Sequence, residues 1–176
     1  ALPRRRQPRT MRSCARPAGH GNGGHDARAA RGRLLDPEGT AEQFRADVVK
    51  TKVILEDIGG VQVRGYRAPS YSINGKNLWA LDVLLEAGHI YSSSIYPIRH
   101  DLYGMPEAPR FPFRFRPDGI LEIPVTTVSL AGRNFPCGGG GYFRLLPYPV
   151  FKWALHRVND LDQRSALFYF HPWELD

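Results

Sequence analysis

The sequence predicts an α/β fold. Three observations lead there. Helix-like and strand-like apolar periodicities alternate along the chain, glycine and proline fall between them, and three of the expected strands end in clusters of polar side chains. The order is helix–strand–helix–strand–insert–strand–helix–strand, which implies parallel strands joined by right-handed crossovers.

Residues 40–58 predict the first helix. Thr40 and Gln43 have the spacing of a capping box. Phe44, Val48, Thr51, Leu55 and Ile58 recur at steps of four and three, which is one helical face, and Gly59-Gly60 stops it. Residues 61–66 alternate as a strand, with Val61 and Val63 on one side and Gln62 and Arg64 on the other, until Pro69 breaks the pattern. A second helix is expected over 78–87, with Leu78, Leu81, Leu84 and Leu85 inward and Gly88 as its stop. A short strand follows at 89–94. Residues 97–119, rich in Pro, Arg and Phe, predict an irregular insert, and 120–128 another strand. The glycines of 138–141 predict a flexible connector. A third helix over 148–158 should bury Val150, Phe151, Ala154, Leu155 and Val158. Residues 166–170 are continuously apolar, which suits a strand covered on both faces.

Charge separates the chain into two parts. The net charge is +7, but residues 1–33 hold nine arginines and one acid, a net of +8, and the rest holds 15 basic and 16 acidic side chains, a net of −1. The basicity belongs to a tail, so a nucleic-acid partner is not expected for the folded part. Residues 1–35 have almost no aliphatic or aromatic content, predicting a disordered tail, with the domain at 36–176. No stretch approaches the roughly 20 apolar residues that cross a bilayer, so no transmembrane segment is expected. The N-terminus lacks the apolar centre of a secretory signal, which predicts a cytoplasmic location. Cys14 and Cys137 make neither a zinc motif nor a disulfide framework. No Lys-Ser or Lys-Thr follows the glycines of 138–141, so they are not a phosphate loop.

The polar strand ends are Arg67-Ala-Pro-Ser70, Ser92-Ser-Ser94 and His171-Pro-Trp-Glu174. Active sites in α/β folds gather at the carboxyl ends of parallel strands, so the three should converge on one rim. Each residue also has a plain structural reading. His171 follows an apolar run, where a histidine serves as a structural hydrogen-bonder as readily as a general acid or base. Arg67 either caps a sheet edge or orients a carboxylate through a bidentate contact. Tyr71 and Trp173 are either sugar-ring platforms or core aromatics. The three serines fit a simple turn. His89, His100 and His156 have no ligand-like partners at helical or short-loop spacing, and His156 sits on the exposed side of its helix.

Taken together, these segments resemble the polysaccharide deacetylases of the NodB-homology type. Arg64-Gly-Tyr-Arg-Ala-Pro-Ser-Tyr-Ser-Ile73 is similar to the family's third motif, Leu85-Glu-Ala-Gly-His-Ile-Tyr-Ser-Ser-Ser94 to its fourth, and Phe170-His-Pro-Trp-Glu174 to its fifth. Tyr96-Pro-Ile-Arg-His-Asp-Leu-Tyr-Gly104 and the stretch 138–148 resemble the subgroup that accompanies exosortase and exopolysaccharide loci in bacteria. The resemblance spans about residues 36–176. It implies a deformed (β/α) barrel, incomplete here, and hydrolytic N-deacetylation of an N-acetylhexosamine-containing polysaccharide during exopolysaccharide biosynthesis. It implies a divalent metal, usually zinc, held by one aspartate and two histidines, with a second aspartate as base. It makes His171 the general acid for the leaving amine and Arg67 the residue that orients the catalytic aspartate. It places Pro69, Ser70, Tyr71, Tyr91 and Trp173 along a polysaccharide or oligosaccharide substrate.

The chain departs from the family in several places. The first motif, with both aspartates, is absent. In the second, His25 falls on the first metal-ligand position and Ala29 on the second. Ser92 stands where the fourth motif often has Asp. The arginine-rich, lysine-free stretch 1–33 reads as a shifted frame or a mis-called start, and the chain ends just past the fifth motif. The expectation is a fragment truncated at both ends and impaired in activity. The alternative is a non-catalytic carbohydrate-binding protein that keeps the aromatic rim.

Overall fold

A computed structural model describes residues 40–101 and 103–171. The expected disordered tail lies outside the described residues. Helix α1, Ala41–Gly59, begins at the predicted capping box, where Gln43 N–H donates to Thr40 Oγ1 and Thr40 N–H to Gln43 Oε1. It ends at Gly60, whose N–H donates to the Glu56 carbonyl. Strand β1 is short, Gly65–Tyr66, and the residues from Val61 to Arg64 that alternate in sequence run outside any sheet. A 3-10 turn, Pro69–Tyr71, follows. Helix α2, Trp79–Glu86, leads to strand β2, Tyr91–Ser92. The insert 97–119 is irregular, as expected.

The strand expected over 120–128 is two strands in two sheets. Strand β3, Leu121–Glu122, joins the parallel sheet, and β4, Thr127–Leu130, pairs antiparallel with β5, Arg133–Pro136. Pro124 stands between them and has no N–H to continue a ladder. The hairpin turn is Ala131-Gly132, both at positive φ (47° and 75°), as a type I′ turn requires. Helix α3, Gly140–Leu145, and helix α4, Tyr148–His156, complete the elements, with a π-turn at Arg157–Leu161.

The parallel sheet has the order β1-β2-β3, with Gly65 opposite Tyr91 and Tyr91 opposite Leu121. Beyond β3, Phe113 of the insert exchanges two backbone hydrogen bonds with Glu122, which covers that sheet edge. The described residues are thus mixed helix and strand with no closed barrel. One apolar cluster joins Phe44 and Val48 of α1 to Ala80, Leu81, Val83 and Leu84 of α2, with Ile73, Ile95 and Ile120. A second is built on Tyr71, Tyr96, Ile98 and Val125. A third holds the hairpin on α4 through Val128, Cys137, Ala154 and Val158.

Three burial expectations are corrected. On α1 only Phe44 and Val48 of the predicted face are buried; Thr51, Leu55 and Ile58 are exposed. The partner explains it, because α1 has 19 residues and α2 has eight. At 1.5 Å per residue, α2 is roughly 16 Å too short to cover the second half of α1. Leu85 and Val150 also face outward. The segment 166–170 is not covered on both faces: Phe168 and Phe170 are exposed, and Tyr169 makes a single bridge to Gly139. Conversely, the expected flexible connector at 138–141 is largely a packed joint. Gly138, Gly139 and Gly140 are buried, and a Cβ on Gly138 would lie 2.7 Å from the Leu167 carbonyl oxygen and 2.9 Å from Thr126 N. Glycine is required there by close backbone approach, not by flexibility.

Candidate functional site

The carboxyl ends of the three parallel strands meet, and hydrogen bonds tie them together. After β1, Ala68 N–H donates to Ser94 Oγ at 2.9 Å. After β2, Ser93 Oγ–H donates to the Ile123 carbonyl at 2.7 Å, and Ser92 Oγ–H donates to Ser94 Oγ at 2.8 Å. From β3, Glu122 Oε1 accepts the N–H groups of Ser94 (2.7 Å) and Ile95 (2.8 Å). The serine run is therefore an interlocked strand end and not a simple turn.

Arg67 stands on this platform. Its Nη1 donates to Tyr71 Oη and its Nη2 to Ser93 Oγ, each at 2.8 Å. The guanidinium carbon lies 5.3 Å from the Tyr71 ring centre and 5.4 Å from that of Tyr169, within cation–π range. Ser70 and Tyr71 both adopt left-handed φ (54° and 51°), an uncommon conformation for side chains of their size. That kink carries the Tyr71 hydroxyl back to the guanidinium four residues after Arg67.

A cleft of about 400 Å³ opens beside Arg67, lined by Ala68, Pro69, Ser70, Tyr71, Tyr103, Tyr169 and His171. Arg67, Pro69, Ser70, Tyr71 and His171, five of the expected site residues, are thus brought together. His171 arrives through the terminal segment. Tyr169 N–H donates to the Gly138 carbonyl and Gly140 N–H to the Tyr169 carbonyl, which sets Tyr169 and His171 at the cleft with ring centres 5.9 Å apart. Tyr91 is set apart: it does not line the cleft, and its ring lies across Gly65. His25 and Trp173 lie outside the described residues.

Burial tunes the titrating groups. Burial is the main reason the Tyr71 phenol is held above its ordinary range, with the Arg67 charge opposing it, so Tyr71 stays protonated. The Tyr103 phenol is pushed up to about 12, chiefly by burial. Glu122 is fully buried, and burial raises its pKa; the N–H groups of Ile95 and Ser94 and the Arg67 charge oppose the shift. Its Oε2 has no hydrogen-bond partner among the described residues. His89 is buried beside Tyr66, with its pKa lowered first by burial and then by the Lys52 charge, so it packs as a neutral ring.

Sequence reasoning missed Glu122, Tyr103 and Tyr169, and it named Ser93 only as part of the polar run 92–94. The available signal for Glu122 was an acid inside an otherwise apolar run, where a charge has to find partners. The tyrosines carried no local signal, since they converge from separate segments.

Residues 93–176 match a family described as Domain of unknown function (DUF3473), a domain found in general in polysaccharide deacetylase-like proteins. The match takes in Ser93, Glu122, Tyr169 and His171, while Arg67 and Tyr71 precede it. No curated protein and no solved structure matches the chain.

Proposed function

We propose that this chain contributes to hydrolytic N-deacetylation of an N-acetylhexosamine-containing polysaccharide, in exopolysaccharide biosynthesis. The observation that carries the reading is Arg67, fixed by Tyr71 and Ser93 in a cleft that also holds His171. Two of the five N–H donors of the guanidinium are used internally, which leaves donors to orient a carboxylate or an acyl oxygen. Fixing the group beforehand removes the entropy of ordering it during reaction. The His171 imidazole is the proton donor to the departing amine, the role of a general acid. Tyr71, Tyr103 and Tyr169 offer flat rings and hydroxyls to a sugar.

A bound zinc ion would polarise the amide carbonyl and lower the pKa of a bound water. A catalytic zinc needs three protein ligands. Among the described residues no group of three His, Cys, Asp or Glu is placed to hold one, and the cleft lining has one imidazole and no carboxylate. The described residues therefore do not fit the metal by themselves.

Acetate release from an N-acetylglucosamine oligomer, with zinc supplied, tests the reading. The expected result is turnover that His171→Ala lowers by about 100-fold or more, as for loss of a general acid. Oligomer binding without acetate release would turn the reading into the non-catalytic carbohydrate-binding one. Neither binding nor release would remove both.

A further inference from the structure

A second cleft, of about 570 Å³, is built partly on the same apolar cluster as the first. It is lined by Ile98, Arg99 and Pro106 of the insert region, by the β4–β5 hairpin from Gly132 to Pro136, and by Tyr142. The two clefts share one aromatic cluster. Tyr71, Tyr103 and Tyr169 of that cluster line the Arg67 cleft, and Ile98 and Tyr142 line this one. The two clefts therefore have walls drawn from one packed cluster.

The chemistry of the second cleft differs. Arg99 and Arg133 approach it from two separate segments, and neither guanidinium makes an ion pair or hydrogen bond among the described residues. No acidic side chain lines it. Every other arginine that lines one of the described clefts is engaged: Arg67 by Tyr71 and Ser93, Arg116 by Asp82. The Asn134 amide, the exposed Phe135 ring and Tyr142 complete the wall. Two uncommitted guanidiniums beside an amide and aromatic faces suit a sugar ring that bears a carboxylate. The volume suits a ligand of one or two sugar residues.

We propose that this cleft binds a carboxylate-bearing sugar residue of the polymer next to the one in the Arg67 cleft, so that the substrate is an acidic polysaccharide. The inference rests on the carbohydrate reading of the Arg67 cleft and adds the substrate's charge and a second subsite. The planar forks of Arg99 and Arg133 take the carboxylate, and the Phe135 and Tyr142 rings take the sugar face.

The test uses the Nε–H resonances of arginine in the full chain, with Arg67, Arg99 and Arg133 assigned through Arg→Gln variants. The probes are an oligogalacturonate, a neutral N-acetylglucosamine oligomer and inorganic phosphate. The expected result is that the oligogalacturonate shifts Arg99 and Arg133, and that R99Q or R133Q weakens its binding about tenfold, as for loss of one charged hydrogen bond. Circular dichroism establishes that each variant is folded. The proposal is overturned if the oligogalacturonate leaves both resonances in place, or if phosphate at the same concentration shifts them equally. The neutral oligomer separates the two readings. If it moves only Arg67 and the oligogalacturonate moves nothing, the first cleft stands and the acidic subsite falls. If the oligogalacturonate moves Arg99 and Arg133 while no probe reaches Arg67, the acidic subsite stands and the reading of the first cleft falls.

Discussion

Glu122 is a carboxyl group in a dry place, with one oxygen committed to two backbone N–H groups and the other to none. Such a group is easier to keep neutral than charged. Its pKa is raised in the folded chain, so its stabilising contribution is complete below the ordinary glutamate value of 4.5 and is lost as pH rises through the higher folded value. Glu122→Gln keeps an oxygen for Ser94 and Ile95 and cannot titrate. Urea midpoints measured across pH 4–9 should therefore fall less steeply above pH 4.5 in the variant than in the parent. At this scale the sequence was half legible. Arg67, Ser70 and Tyr71 could be read because they share one short segment, whose strained turn folds the phenol back on the guanidinium. Glu122 could not, because the N–H groups it serves lie 28 and 27 positions away, and only the assembled sheet brings them together.

At the scale of elements, the glycines of 138–140 show how a pattern can be read correctly as glycine and wrongly as slack. Gly138 sits against Leu167, Thr126 and Val125, and Gly139 against the Tyr169 ring, with no room for a methyl group at either. Gly138→Ala should lower stability by about 1–3 kcal/mol, the cost of overpacking, in a chemical denaturation curve. Gly132, exposed at the hairpin tip with open space around it, has no such packing constraint. The break between β3 and β4 was in principle readable from Pro124. The apolar continuity of 120–128 concealed it, because strands of two different sheets can both be buried. Helix α1 was the most legible element, since its capping box, period and stop are all local.

For the molecule as a whole, the α/β alternation was visible in sequence, but strand length and coverage were not, because they depend on what packs alongside. The second half of α1 and the residues after it illustrate this. Val53, Ile54, Leu55, Ile58 and Val61 are exposed together, with Ile58 at 78%. An apolar stripe of that kind promotes association. Ile58→Lys should raise the solubility limit while shifting thermal stability by no more than about 0.5 kcal/mol, as for an exposed site. Light scattering and a melting curve together would check it. The terminal segment is anchored elsewhere: Tyr169 bonds to Gly138 and Gly140 and packs on Tyr71, Leu167 bonds to Thr126, and Phe168 packs on Phe143 and Phe151. None of these bonds involves the aliphatic cluster between α1 and α2. That clasp can open while the core stays shut, taking His171 away from Arg67. On warming, the acetate release proposed above should be lost before the α1–α2 core melts, and on cooling the closing of this clasp should be the last step of folding.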